Sequence, residues 1–425
     1  MRVLVIGSGG REHAVCWKLN QSPATELFCA PGNAGIAEIA TCVPANLNDV
    51  GSLALLAESL KADLTVIGPE APLVGGVAED FRARKLKMVG PSAAAAQLEG
   101  SKTFAKQFMA RHRIPTARFI ACNTPASALS ALNSEFQFPV VVKADGLAAG
   151  KGVRIAQERR EFEETISAMM VEGAFGEAGS RIVLEECLVG REASLMIFTD
   201  GRDYKTIVPA QDYKRVNDGD AGLNTGGMGS FSTPELIDDA AQVRIARDIV
   251  EPTLAGMASE GNPFSGVLYT GLMFTGDGPK VIEYNARLGD PETQAVMMRL
   301  DSDLLDILIA IAESRVGSTR ISWSNDSSVC VVAASGGYPG EFAKGKVISG
   351  LDDATAIGGV AVFHAGTSVD ESGRLITSGG RVLGVTARAP SLEKARSQAY
   401  EAMSKISFDG LHYRTDIAQA RAANS

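Results

Sequence analysis

The sequence predicts an α/β protein with α+β parts: an N-terminal parallel sheet, a middle unit of mixed strands and helices, and a small strand-rich C-terminal unit. Three observations carry this. Apolar runs alternate with helical stretches through the first hundred residues, strands then arrive as close neighbours, and strands dominate again from about Trp323. With 425 residues, 45% hydrophobic and 21% charged, the chain can bury a sizeable core and has the length of roughly three domains.

The apolar runs 3–7, 64–68 and 87–90 each end at glycine, with helical patterns over 11–20 and 53–61 between them. This βαβ alternation predicts a Rossmann-like parallel sheet, whose ligands bind beyond the carboxyl ends of the strands, where the glycines fall. A boundary is placed near residue 100, where Gly100-Ser101-Lys102 opens a helix running to about residue 113 and Pro115 breaks it. The Ala93-Ala94-Ala95-Ala96 tract sits in a short helix before it. Strands over 138–144 and 153–156, a helix to about 172 and a strand over 181–188 read as a small α+β lid. Further strands, a polar loop over 216–229, a helix from 234 to about 259 and a closing helical pair follow. The expected units are 1–100, 101–320 with a lid at about 121–190, and 321–425.

Composition excludes several functions. Lys plus Arg number 41 against 50 Asp plus Glu, a net charge of −9 without a basic block, so no nucleic-acid partner is expected. The cysteines (Cys16, Cys29, Cys42, Cys122, Cys187, Cys330) are scattered in apolar surroundings and read as reduced. The first apolar run is too short for a signal peptide and no run approaches a membrane span, so a cytoplasmic location and no membrane partner are expected. The four histidines are not spaced for zinc, and no Gly-x-Ser-x-Gly is present. The 45 glycines point to backbone that comes close to something, and phosphates fit that.

Gly7-Ser8-Gly9-Gly10-Arg11-Glu12 follows a strand and opens a helix, so its backbone N–H groups could hold an anion. It is a poor dinucleotide fingerprint: Glu12 stands where a third glycine belongs, and Cys29-Ala30-Pro31-Gly32 stands where an acidic residue would end the second strand. With Gly32-Asn33-Ala34-Gly35 and Gly68-Pro69-Glu70 at neighbouring strand ends, either a shared mouth for one small phosphorylated ligand or three ordinary βα turns would give this pattern.

Lys143 closes the buried run Val140-Val141-Val142, where an ammonium either faces an anion or snorkels to solvent beside a plain hairpin turn. The turn Asp145-Gly146-Leu147-Ala148-Ala149-Gly150-Lys151-Gly152 beside it could fold over a polyphosphate, although its spacing is not that of a P-loop. In Val281-Ile282-Glu283-Tyr284-Asn285-Ala286-Arg287, the period of a strand puts Glu283, Asn285 and Arg287 on one face: either two hard oxygen donors for Mg²⁺ and a fork for an anion, or an ordinary solvated strand face. Gln211-Asp212-Tyr213-Lys214-Arg215, then Asn224-Thr225-Gly226-Gly227-Met228-Gly229, read either as a loop that closes on substrate or as a surface hairpin. Glu185-Glu186-Cys187-Leu188 ends a strand that could offer backbone groups to a base edge.

In this order, these segments resemble the glycinamide ribonucleotide synthetase (phosphoribosylamine-glycine ligase) family of the ATP-grasp superfamily across essentially the whole chain. The likeness rests on Gly9-Gly10-Arg11-Glu12-His13-Ala14, Ala30-Pro31-Gly32-Asn33-Ala34-Gly35, Gly68-Pro69-Glu70-Ala71-Pro72-Leu73, residues 143–152, residues 224–229 and Gly289-Asp290-Pro291-Glu292. It implies an ATP-grasp core with a mobile lid, and ligation of glycine to 5-phosphoribosylamine with ADP and phosphate released, through glycyl phosphate, in purine synthesis. It further implies that Lys102 and Lys143 hold ATP phosphates under a flap containing Gly146, Gly150, Lys151 and Gly152, that Glu185, Cys187 and Leu188 meet adenine, and that Glu192 meets the ribose. Glu283 and Asn285 would hold Mg²⁺ or Mn²⁺. Asp212, Arg287 and Lys143 would be the catalytic set, with Lys214, Asn224, Gly226 and Gly227 beside them, while Gly9, Gly10, Arg11, Asn33, Gly35 and Glu70 would receive phosphoribosylamine. ATP, glycine and phosphoribosylamine are the partners implied, with a monomer or small homo-oligomer as the form.

Three residues depart from the family pattern: Tyr213 where histidine is common, and Ala286 and Leu288 for a more usual cysteine and phenylalanine. Strand 266–274 has no acidic residue, although many ATP-grasp enzymes place a second metal carboxylate there. Two other classes stay open. A related carboxylate-amine ligase would keep the ATP residues and differ at the N-terminal mouths; a catalytically silent nucleotide-binding scaffold would lose Glu283, Asn285 or Lys143, and all three are present.

Overall fold

A computed structural model of the chain describes residues 1–23, 25–148 and 152–419. The early apolar runs form one five-stranded sheet in the order Thr41–Cys42, Glu26–Pro31, Arg2–Gly7, Leu64–Ile67, Met88–Val89, all parallel. Five of the six residues of the central strand Arg2–Gly7 are buried, as a parallel strand covered on both faces must be. Its register sets Gly7 opposite Pro31, so the first two glycine turns emerge side by side.

Helices Ala93–Gly100 and Lys102–Arg111 meet at Ser101, whose hydroxyl accepts the Phe104 N–H and caps the second. Beyond them, a four-stranded antiparallel sheet runs in the order Phe119–Cys122, Ile182–Glu186, Val140–Ala144, Val153–Ala156. Helices Pro125–Glu135 and Arg159–Ile166 pack on it around a core of their own, with Leu132, Phe162 and Leu184 at its centre. A separate core is what the expected lid requires.

The middle unit has a second antiparallel sheet in the order Tyr204–Thr206, Arg191–Asp200, Ser265–Thr275, Gly278–Asn285. The strand-rich remainder forms a third, in the order Gln211–Asp212, Gly229–Ser232, Ser327–Ser335, Arg381–Ala389, Val360–His364, with Leu411–His412 paired to Ser327–Ser335. It takes two strands from before residue 320, so the C-terminal sheet is continuous with the backbone flanking residues 213–228. The polar loop expected over 216–229 is instead a hairpin, Arg215–Asn217 with Ala221–Asn224, because Gly222 (φ 82°) and Gly219 (φ 67°) permit the tight reversals.

Helix Glu292–Arg299 lies between the N-terminal helix Gly10–Leu19 and the third sheet, and all eight of its residues are buried. The six cysteines are free, four of them buried. Among the described residues no helix is long and apolar enough to cross a membrane.

Candidate active site

The carboxyl-terminal half of strand Gly278–Asn285 carries the site. Gly271 pairs with Glu283 while its neighbour Leu272 pairs with Val281, so Ile282 is the extra residue of a bulge. The bulge lets Val281 and Tyr284 both enter the core while Glu283 and Asn285 face the same open side. It also turns out the Ile282 carbonyl, which accepts the Lys143 ammonium at 3.1 Å.

Lys143 has its anion. Its Nζ lies 2.9 Å from Glu185 Oε1, while Lys106 Nζ lies 2.7 Å from Glu185 Oε2, and all three side chains are at most 5% exposed. Burial lowers the Lys106 pKa to about 8, Glu185 opposing and Lys143 adding to the shift. This knot fastens the lid sheet to helix Lys102–Arg111. Glu185, expected to meet adenine with Cys187 and Leu188, has its carboxylate on two lysines and its backbone within the sheet, and Cys187 and Leu188 follow just past the strand end.

Lys102 opens the capped helix, and its N–H donates to the Asp145 carbonyl (2.9 Å). The Asp145 carboxylate accepts from the Thr103 N–H (2.6 Å) and the Ser101 hydroxyl (3.0 Å), so the first residues of the flap already occupy that helix N-terminus. Gly146 lies against Ala178, where a Cβ would sit 2.8 Å from the alanine methyl. Gly150 and Lys151 lie outside the described residues.

Across the site, Lys214 Nζ stands 3.5 Å from Glu192 Oε2 and 3.7 Å from Glu283 Oε1. Burial works against the Lys214 charge, but Asp212, Glu192 and Glu283 outweigh it and hold its pKa above that of an ordinary lysine. Asp212 is pushed up to about 7 by burial and by the charges of Glu292, Glu192 and Glu283, with Lys214 pulling the other way. Glu283 is held at about 2: burial opposes its charge, and Lys214, Lys102, Lys143 and Arg287 overcome that. Tyr213, between Asp212 and Lys214, points the opposite way, its hydroxyl accepting the Ala418 N–H and its ring under Arg414. Its departure from the family pattern therefore lies off the site's face.

Arg287, two residues past the strand end at Asn285, sends its guanidinium to carboxylates of the N-terminal unit. Its Nε reaches Glu70 Oε2 (3.1 Å) and its Nη2 reaches Glu99 Oε1 (2.9 Å), while Glu99 Oε2 accepts the Ala286 N–H (2.7 Å). Burial pushes Glu99 above the usual carboxylate range; Glu70, half-buried, is brought below it by Arg287 and Arg11. Arg287 thus bolts the N-terminal unit to the strand that bears Glu283.

The N-terminal turns are more occupied than expected. Gly9 N–H donates to Glu12 Oε2 at 2.6 Å, and Arg11 Nε pairs with Glu12 Oε1 at 2.6 Å. Glu12 therefore acts as its own helix's anion, which is why a glutamate replaces the third glycine. Gly10 is buried, and a Cβ there would lie 2.6 Å from Gln294 Nε2, so it packs against helix Glu292–Arg299 and does not open on the mouth. The Asn33 amide donates to the Ser8 and His364 carbonyls (2.9 and 2.8 Å), and Gly35 lies against the rings of His13 and His364. Asn224 Nδ2 approaches the Val153 carbonyl of the lid at 3.4 Å, tying the loop 224–229 to it.

Sequence reading missed Lys106, Glu99, Arg381 and Tyr338. The first two had a signal, a charged residue at a buried helical position. The last two had none, since Arg381 reaches Asp290 and the Gly226 carbonyl from 91 and 155 residues away.

Glu283 and Asn285 fit a hard divalent cation: adjacent oxygen donors on one face, the carboxylate fully ionised. Among the described residues no cluster of three His, Cys, Asp or Glu forms a cage, so phosphate oxygens and water would complete the shell.

Three family models cover the chain: phosphoribosylglycinamide synthetase N domain over residues 1–99, ATP-grasp (A) domain over 100–293 and C domain over 328–420. The phosphoribosylamine-glycine ligase of Escherichia coli K12 is 48% identical over 421 residues, 98% of each chain. That of Vibrio parahaemolyticus is 48% identical over 98% of this chain and 97% of its own. The crystal structure of the phosphoribosylamine-glycine ligase of Thermotoga maritima superposes with a TM-score of 0.83 at 34% identity, covering 98% of this chain and all of that one. A biotin carboxylase domain of Hydrogenobacter thermophilus shares the fold at a TM-score of 0.72 and 17% identity. With all three domain models matched in order and 48% identity along 98% of its length, the chain belongs to the phosphoribosylglycinamide synthetase family of ATP-dependent ligases.

Proposed function

We propose that the chain ligates glycine to 5-phosphoribosylamine, giving glycinamide ribonucleotide, ADP and phosphate through glycyl phosphate. The observation that carries this reading is the gathering of Lys214 and Lys143 about Glu283, with Asp212 half-buried beside them.

Lys143 gives one N–H to the Ile282 carbonyl and one side to Glu185, which leaves a third N–H for a phosphate oxygen. Lys102, whose charge reaches Glu283, is the second phosphate candidate. Cys187 and Leu188 offer the first free backbone to adenine, and Glu192, half exposed beside Lys214, faces the ribose. Glu283 and Asn285 would hold Mg²⁺ or Mn²⁺, which when bound neutralises phosphate charge.

A glycine carboxylate oxygen attacks the γ-phosphorus and its bond to ADP breaks. The amine nitrogen then attacks the acyl carbon, phosphate leaves, and the nitrogen sheds a proton. Asp212, poised near 7, takes that proton while Lys214 neutralises the departing phosphate. No protein nucleophile is needed; the chain positions and neutralises. The N-terminal turns select the phosphorylated amine, residues from about 121 to 190 act as the lid, and residues from about 321 form the C-terminal unit.

ADP release, measured with glycine and phosphoribosylamine each omitted in turn, tests the reading. Release that needs both is expected. Release that is indifferent to the amine, or supported equally by another carboxylate, overturns it.

A further inference from the structure

The C-terminal unit sends two side chains to the mouth of the site. Arg381, first residue of strand Arg381–Ala389, donates Nη1 to the Gly226 carbonyl (2.6 Å) and the Asp290 carbonyl (3.1 Å), and its Nη2 meets Asp290 Oδ2 at 2.6 Å. Tyr338 takes the Gly226 N–H on its hydroxyl at 2.9 Å. Gly226 is therefore held on its N–H and on its C=O by the same distant unit.

The surroundings leave the loop few alternatives. Gly227 has φ 114°, and a Cβ there would lie 2.3 Å from Pro291 Cδ. A Cβ on Gly380 would strike the Tyr338 ring at 2.3 Å, so that ring needs glycine beneath it. Asp290 Oδ1 takes Gln294 Nε2 (2.8 Å), and its Oδ2 lies 3.7 Å from where a Cβ of Gly9 would be. One guanidinium thus joins the loop 224–229 to a turn that borders the first glycine turn of the N-terminal sheet. A residue wanted only for cohesion would be served as well by apolar packing; a fork aimed at two main-chain carbonyls fixes the direction of a loop.

We propose that Arg381, with Tyr338, is a positioning residue for the reaction: it sets the loop 224–229 against the Asp290 turn, so the C-terminal unit determines how well the amine substrate fits. The proposal rests on the ligase reading for its kinetic part and on geometry alone for its structural part, which keeps the two failures distinguishable.

The experiment uses the full chain with Arg381→Lys, Arg381→Met and Tyr338→Phe. Hydrogen exchange at Gly226, Gly227 and Met228 is measured without substrates, alongside KM and kcat for each substrate and ATP-analogue binding. For Arg381→Met, exchange at these amides should rise at least 10-fold, and KM for phosphoribosylamine should rise about 10-fold or more with ATP affinity within 2-fold. Arg381→Lys should recover part of both effects and Tyr338→Phe should show a smaller change of the same kind. Unchanged exchange in Arg381→Met and Tyr338→Phe overturns the proposal, as does a loss spread equally over ATP and the amine. If Arg381→Met does not fold, Tyr338→Phe and Arg381→Lys decide by the same readouts. Altered exchange in a protein that ligates some other amine leaves the positioning role standing and fails only the ligase reading.

Discussion

On the proposed reading, Glu283 is the carboxylate that holds the metal, kept ionised by the four surrounding cations Lys214, Lys102, Lys143 and Arg287 although it is half-buried. Glu283→Gln keeps the volume and removes the charge, so it should fold normally and lose at least about 100-fold in kcat, equivalent to about 2.7 kcal/mol of transition-state stabilisation. Steady-state turnover at saturating Mg²⁺ is the measurement, and near-normal turnover refutes the assignment. On the proposed reading, Asp212 supplies the pH dependence. It accepts a proton only when ionised, so kcat/KM should rise as pH climbs through about 7, and Asp212→Asn should flatten that limb. A rise unaffected by Asp212→Asn places the titrating group elsewhere. The types and order of these residues were legible because chemistry restricts which side chains can bind a dication. The partners of Arg287 were not, because Glu70 and Glu99 stand far earlier in the chain and meet it only in the fold.

Among elements, the lid sheet 119–186 has its own core and meets the rest largely through the Lys106–Glu185–Lys143 knot and its loop contacts. A nucleotide beneath the turn joining strands Val140–Ala144 and Val153–Ala156 should protect the amides flanking it from exchange, and indifference to a non-hydrolysable ATP analogue contradicts the lid. Helix Gly10–Leu19 gives a second element-scale prediction. A side chain at Gly10 enters helix Glu292–Arg299 at Gln294, so Gly10→Val should destabilise the protein by about 1–3 kcal/mol, with Gly10→Ala less affected. Urea unfolding checks this, and a Gly10→Val protein of full stability with impaired amine binding returns Gly10 to the mouth. Sequence showed the glycine before a helix; that its neighbour is a helix almost three hundred residues later could not be seen there.

For the whole molecule, units far apart in sequence meet through buried polar groups. His13 Nδ1 accepts the His364 N–H at 2.7 Å, and the two rings lie 5.5 Å apart. Burial, with the neighbouring His364, lowers the His13 pKa to about 3, and burial lowers that of His364 to about 4. Both depart downward from the unfolded value near 6.5, so the unfolded chain binds more protons below that pH. Stability from these groups is present above about 6.5 and is lost as pH falls toward 4. Each fully differential proton contributes a slope of about 1.4 kcal/mol per pH unit. Urea midpoints between pH 7.5 and 5 should fall less steeply in His13→Gln than in the parent, and equal slopes remove the pair from the account.

Glycine placement, the βαβ rhythm and the Glu-x-Asn strand end follow from local rules, for a tight turn, a buried parallel strand and a hard cation each demand particular residues at particular spacings. Those the sequence determined by itself, and with them the family resemblance. Tertiary structure alone decided which charges neutralise one another: Glu12 with Arg11, Glu185 with two lysines, Arg287 with Glu70 and Glu99, Arg381 with Asp290. A buried charge needs an opposite partner, but the electrostatic cost is met equally by any partner the fold brings within reach. Sequence states the need, and only the packed chain selects who answers it.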